Sequence, residues 1–186
     1  MSSVAPSGGA GGAIAIETVM KAPPDGATLL IYGSSVWLLP MMRASTSWDP
    51  MRDFAPITLA VTSPNMLVVH PSVEISSVKE LIAMARKKPG EVTYASGGSG
   101  STSHLATELF KSMTGLDIVH VPFKGTGPAM TAMLGGQTQI MFTIAGPAIP
   151  HVKANRLKAI AVTSANPSAL LPNLPTVAAA GLPVRL

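Results

Sequence analysis

Between Val92 and Met113 the chain runs Val-Thr-Tyr-Ala-Ser, then Gly97-Gly98-Ser99-Gly100-Ser101-Thr102-Ser103, then His104-Leu-Ala-Thr-Glu-Leu-Phe-Lys-Ser-Met. This order reads as a buried strand, a loop of only Gly and Ser/Thr, and an amphipathic helix. The glycines let the backbone fold tightly, while the hydroxyls and the free N–H groups of the helix start present donors to an anion. Seven successive Gly/Ser/Thr residues exceed what one helix cap requires. The loop holds no lysine, arginine or acid. Such a loop suits a small carboxylate or phosphate held by dipoles and neutral hydrogen bonds, and suits poorly a reaction that needs a strong base.

Three more strand ends lead into small-residue turns that open helices: Gly33-Ser34-Ser35, Gly125-Thr126-Gly127 after Lys124, and Thr143 to Gly146 before Pro147. In an open parallel sheet such turns share the carboxyl edge, where ligands bind at a topological switch point. The candidate ligand-binding residues are therefore Ser34, Gly98, Gly100, Ser101, Thr102, Ser103, Gly125, Thr126, Gly127 and Thr143. Gly, Ser and Thr also serve as ordinary turn and cap residues, and at Gly33 and Thr143 that plainer reading carries more weight.

Other chemistries fit less well. Gly98 to Ser103 approaches the dinucleotide fingerprint, but Ser103 replaces its third glycine, and Phe123-Lys124 stands where an acid would hold a ribose. No Gly-Lys-Ser/Thr makes a phosphate loop, and Gly97-Gly98-Ser99-Gly100-Ser101 ends in serine, so it is no nucleophile elbow. Adjacent Ser103 and His104 do not make a nucleophile–base pair; His104 reads as a residue that satisfies a neighbour in the first helix turn, and His120 and His151 as similar packing or surface cases. Zero cysteines and four scattered histidines argue against a metal, and no cofactor is expected. Only nine acids exist, with no pair placed for glycosidase chemistry. The net charge is +4, yet the basic residues are dispersed; the one cluster, Arg86-Lys87-Lys88, completes the last turn of a predicted helix, so no nucleic acid is expected. No run of 18 apolar residues exists to span a membrane, and the first residues lack the pattern of a signal peptide. Charged residues make up 12% of the chain against roughly 25% in an average domain. A surface that sparse in charge suggests that part of it is normally covered.

The elements that must position these loops follow from hydrophobic pattern. Strands are predicted at Ala27–Tyr32, Pro56–Thr62, Asn65–His70, Val92–Ala95, Ile118–Phe123, Gln139–Phe142 and Leu157–Thr163. Several are continuous apolar runs, the pattern of parallel strands covered on both faces. Helices are predicted at Ile14–Lys21, Ser35–Met42, Val78–Lys88, Ser101–Thr114, Gly127–Leu134 and Pro147–Ala154. Ser76-Ser77 with Glu80 starts the third, and Thr114-Gly115 ends the fourth. Met41, Met84, Met113, Met130 and Met133 fall on helix faces as adaptable core filler. The result is an open α/β fold. The opening residues offer no strand to begin a sheet, and the Pro-rich stretch from Ala165 offers no closing element, so the chain reads as an interior piece of something larger.

At Lys21-Ala-Pro-Pro-Asp-Gly, Tyr94 to Ala106, His120-Val-Pro-Phe-Lys-Gly-Thr-Gly-Pro-Ala and Leu174-Pro-Thr-Val-Ala-Ala-Ala-Gly-Leu-Pro, the chain resembles the solute-binding proteins of tripartite tricarboxylate transporters, the Bug family. The likeness runs from about Pro6 to Pro183. It implies a periplasmic-binding-protein-like α/β fold, a two-domain Venus flytrap in the periplasm that closes on small carboxylates. It further implies delivery to membrane transporter subunits, a monomer in full-length form, and no catalysis. One complete doubly wound domain, residues 72–163, would accompany part of another, residues 1–71 and 164–186. In the family a first carboxylate meets the loop after the first strand, and a second anionic end meets the loop matching Gly97–Ser103, with help from the one matching Lys124–Gly127. That first strand would lie before Met1, and the closing strand and helices after Leu186. Many members also carry an aspartate where this chain has Thr143. The rival readings are the ligand-sensing domain of a regulator and an enzyme acting on a small anion.

Overall fold

The computed structural model describes residues 12–42, 44–169, 171–180 and 182. Helices α1 (Ala13–Met20) and α2 (Ser35–Met42) precede strand β1 (Asn65–Val69); then follow α3 (Val78–Lys87), β2 (Thr93–Ser96), α4 (Thr102–Thr114), β3 (Val119–Pro122), α5 (Thr126–Leu134), β4 (Ile140–Ile144), α6 (Ala145–Lys153) and β5 (Lys158–Val162). The strands form one sheet in the order β3-β2-β4-β1-β5.

Both faces of this sheet are covered, as the continuous apolar runs require. Leu67, Val69, Tyr94, Ile140 and Phe142 turn to one face, where they join Val78, Leu81 and Ala85 of α3 and Phe110 of α4. Met66, Val68, Ala95 and Met141 turn to the other, against Ala129, Met130 and Met133 of α5 and Ala148 of α6. The alternation along β1 and β4 is the two-residue strand period with core on each side. Met130 and Met133 are core, as expected of filler, but Met41 is 83% exposed.

The sheet is mixed, and this corrects the parallel arrangement expected from the runs. β2 is parallel to β3 and β4, but β1 lies antiparallel between β4 and β5, with Asn65 opposite Ile144. An apolar run reports burial on two faces and says nothing of direction. The amino end of β1 thus shares an edge with the carboxyl ends of the other strands. β1, grouped with the first domain in the sequence reading, is interior to this sheet.

Two predicted strands are absent. Residues 27–32 and 56–62 form no ladder, and Ile31, Ile57, Leu59 and Val61 are all more than 70% exposed. Leu29 to Tyr32 is a continuous apolar run, and Ile57, Leu59 and Val61 alternate along 56–62, but a strand needs a neighbour to bond, and none of the described strands pairs with either. The stretch after Ala165 does more than expected. Val162 N–H donates to Pro175 O and Val177 N–H to Val162 O, so this segment lies along the outer edge of β5. A separate small core joins Ala13, Ile16, Val36, Leu39 and Trp48, and the Trp48 indole N–H donates to Val36 O at 3.0 Å.

Candidate functional site

Local chemistry builds the Gly97–Ser103 loop. Ser101 caps α4, its hydroxyl accepting the His104 N–H at 3.3 Å, and Gly98 and Gly100 adopt φ of 111° and 84°, values that favour glycine. The Ser103 hydroxyl accepts the Gly97 N–H at 3.0 Å and lies 3.0 Å from that of Ser101. Ser103 is 4% exposed, so its side chain is committed inside the loop. Thr102 instead lines a cavity of about 350 Å³ together with Ser34, Asn65, Phe142 and Thr163. Leu105, Leu109 and Met113 of α4 form its apolar wall, and among the described residues no charged side chain lines it.

The turn after Gly33 reaches this loop. The Ser35 hydroxyl donates to Gly100 O at 2.8 Å, a Cβ on Gly33 would sit 3.6 Å from Thr102 Cγ2, and a Cβ on Gly100 would run into Leu39 of α2. From the other side come Gly125 and Thr126. A Cβ on Gly97 would lie 3.2 Å from Thr126 N and 3.3 Å from Gly125 C, so only glycine admits this approach without a shift. No side chain caps α5, whose first residues Thr126 and Gly127 are exposed. Two helix N-termini, those of α4 and α5, therefore meet at Gly97. Ser34 and Thr102 share the cavity, whereas Gly125, Thr126, Gly127 and Thr143 lie outside its lining.

Thr143 faces elsewhere. It is the register partner of Met66, so its side chain points to the face covered by α5 and α6. It is 1% exposed, and its Oγ1 meets no hydrogen-bond partner among the described residues. Asn65 Oδ1, likewise buried and unpartnered, lies on the α4 face beside the cavity. Its backbone is tied to Thr163, whose hydroxyl accepts the Asn65 N–H at 3.1 Å and donates to Asn65 O at 3.2 Å. Sequence reasoning missed Asn65 and Thr163. Both are lone polar residues bounding apolar strands, and a parallel β1 would have carried Asn65 to the far edge.

Behind the loop lies a polar cluster. His104 Nδ1 accepts the Gly100 N–H at 3.2 Å, and the Ser96 hydroxyl accepts the Gly98 N–H at 3.1 Å while lying 2.6 Å from His120 Nε2. The rings of His104 and His120 are 4.4 Å apart, and Tyr94 stacks on His120 at 4.7 Å. Tyr94 OH donates to Glu108, which also pairs with Lys111 at 3.0 Å. Burial holds both histidines below the ordinary imidazole range, against the pull of Glu108. Burial would raise the Glu108 carboxyl, but the bonds from Tyr94 and Lys111 outweigh it and leave it lowered. Burial and the Glu108 carboxylate together push the Tyr94 phenol up. Ser96 and His120 thus form a close serine–histidine pair, but Ser96 is fully buried and its hydroxyl holds the loop, so no substrate reaches it. Among the described residues no three acids or histidines gather as metal ligands, and no helix is long and apolar enough to cross a membrane.

Toward the cavity this edge presents neutral hydroxyls, an amide and backbone donors, with the histidines and Glu108 held behind the loop. The chain belongs to the tripartite tricarboxylate transporter family of receptors, whose family model matches residues 4–184. These are transporter-associated binding proteins, not enzymes. Among solved structures it is similar to an R. palustris protein described with adipate, at 36% identity and a TM-score of 0.88, over 93% of this chain and 58% of that one. It is similar to the periplasmic binding protein BugD at 30% identity and a TM-score of 0.90, over 95% of this chain and 59% of that one. MatC from Rhodopseudomonas palustris with bound malate is 30% identical with a TM-score of 0.84, over 94% of this chain and 60% of that one. The chain spans about half the length of the curated relatives it matches, 52% and 54% of two of them.

Proposed function

We propose that this chain is part of a periplasmic receptor that captures a small dicarboxylate at the edge where α4 and α5 begin and hands it to membrane transporter subunits. The observation that carries the reading is the contact of Gly97 with Gly125 and Thr126, which brings two helix N-termini to one point with no acid beside them. Each terminus offers outward N–H groups and a partial positive charge, and together they suit one carboxylate. Adipate and malate, seen in the two R. palustris proteins, are both dicarboxylates and support that ligand class. The second carboxylate would be met from outside the sheet unit. Ser34, Gly98, Gly100, Ser101, Thr102, Ser103, Gly125, Thr126 and Gly127 remain the proposed ligand contacts, with Asn65 and Thr163 added beside the cavity; Thr143, buried on the opposite face, is left out.

The receptor would be bilobed and act as a monomer. We place the boundary between lobes at Pro64–Asn65 and after Thr163, because β1 and β5 lie in one sheet, in place of the expected division at residues 72 and 163.

Calorimetry with adipate and malate tests the reading. Thr102→Val keeps shape and deletes a donor, so binding should weaken by roughly 1–3 kcal/mol. Lys124 is exposed, and Lys124→Met should matter less. If Thr102→Val leaves affinity unchanged while Lys124→Met abolishes it, recognition is a charge pair and the donor-based account fails.

A further inference from the structure

We infer that His104 is a positioning residue for the anion-binding loop: its neutral ring, packed against His120, accepts the Gly100 N–H through Nδ1 and so fixes the turn that aims the loop's outward donors. This inference rests on the binding reading above. Gly100 is held on both sides of its left-handed turn, its N–H by His104 and its carbonyl by the Ser35 hydroxyl at 2.8 Å. A few residues back, Ser96 holds the Gly98 N–H and is itself 2.6 Å from His120 Nε2. Two imidazoles in contact thereby govern two glycine amides of one loop.

The arrangement requires the uncharged ring. With Nδ1 as acceptor, the proton of neutral His104 sits on Nε2. Adding a second proton places a donor on Nδ1 against the Gly100 N–H, donor facing donor, and the turn loses its anchor. His120 differs, since a charged ring still donates to the Ser96 hydroxyl. Three titratable groups bear on His104, Glu108 and Lys111 on α4 and His120 on β3, and Tyr94 on β2 stacks on the far partner His120. Glu108 Oε1 takes both the Tyr94 hydroxyl at 2.6 Å and Lys111 at 3.0 Å, and the Lys111 ammonium opposes the pull of the carboxylate on His104. Burial favours the neutral ring of both histidines. At neutral pH the loop is therefore latched, and acid unlatches it.

Nuclear magnetic resonance of the ligand-free chain between about pH 8 and pH 5 spans imidazole titration. The Gly100 amide signal should move together with ring protonation of His104. In His104→Asn, whose Oδ1 supplies an acceptor near the place of Nδ1 but takes up no proton, most of that movement should vanish. Adipate affinity should fall by roughly 5- to 100-fold more than protonation of the ligand itself imposes as the ring charges, the range for stranding one donor, and His104→Asn should lose that extra fall. A Gly100 amide that stays still while His104 titrates overturns the inference, and so does a His104→Asn protein whose adipate affinity falls with acid as steeply as that of the unsubstituted chain. If neither adipate nor malate binds at any pH, the binding reading fails, and the amide titration alone decides whether His104 positions the loop.

Discussion

Thr143 holds a hydroxyl in an apolar face, 1% exposed and without a partner among the described residues, while its register partner is Met66. A buried hydroxyl left unpaired costs about 1–3 kcal/mol. Thr143→Val has the same shape and no such group, so it should stabilise the chain by about 1 kcal/mol in urea unfolding with an unchanged denaturant slope. A less stable variant would show that the hydroxyl has found a partner, a water for instance. At this scale the sequence revealed the donor-rich character of the loop but not its wiring. Seven small residues announced a donor-rich loop, and His104 read correctly as satisfying a neighbour. That Ser103 turns inward to Gly97 while Thr102 turns out to the cavity is decided by rotamers and distances near 3 Å, which residue type does not encode.

Among the elements, helices with chemical punctuation were legible and strands were less so. α3 starts at Val78 because Ser77 accepts the Glu80 N–H at 3.2 Å, while the Glu80 carboxylate reaches back to Ser76 N–H at 2.6 Å. That backbone bond leads the effects that lower the Glu80 carboxyl. Ser77→Ala should cost about 1 kcal/mol, the ordinary worth of such a cap, read as a lower urea midpoint. No loss on that substitution would mean that packing of Val78, Leu81 and Ala85 alone sets the helix start. α4 was likewise bounded in advance by Ser101 and by Gly115, whose φ is 67°. Strands depend on partners far along the chain. Residues 56–62 carry a strand's pattern and bond to no described strand, whereas β1 carries no mark of direction and runs against β4 and β5. The antiparallel β1 is what brings Asn65 to the edge where the other strands end.

Over the whole molecule, stability should be unevenly spread. β1 bonds to strands on both sides, and Met66 to Val69 are fully buried in cores on two faces of the sheet. The second core is smaller, built on α1 and α2 of eight residues each, the latter with Pro40 inside it. Helices that short owe their stability to packing. Its ties to the sheet unit include the Ser35–Gly100 bond and the seat of Leu39 over Gly100. Between the two runs the exposed, unladdered segment 56–63. Local opening follows such differences in buried contacts and backbone bonding. Native-state hydrogen exchange should therefore give three classes: residues 56–63 exchanging almost as an unfolded chain, α1 and α2 opening together next, and Met66–Val69 protected up to global unfolding. The same ranking bears on the bilobed proposal, because a lobe that moves against its neighbour must open independently of it. Equal protection for α1, α2 and β1 would describe one cooperative unit and would refute the boundary at Pro64–Asn65.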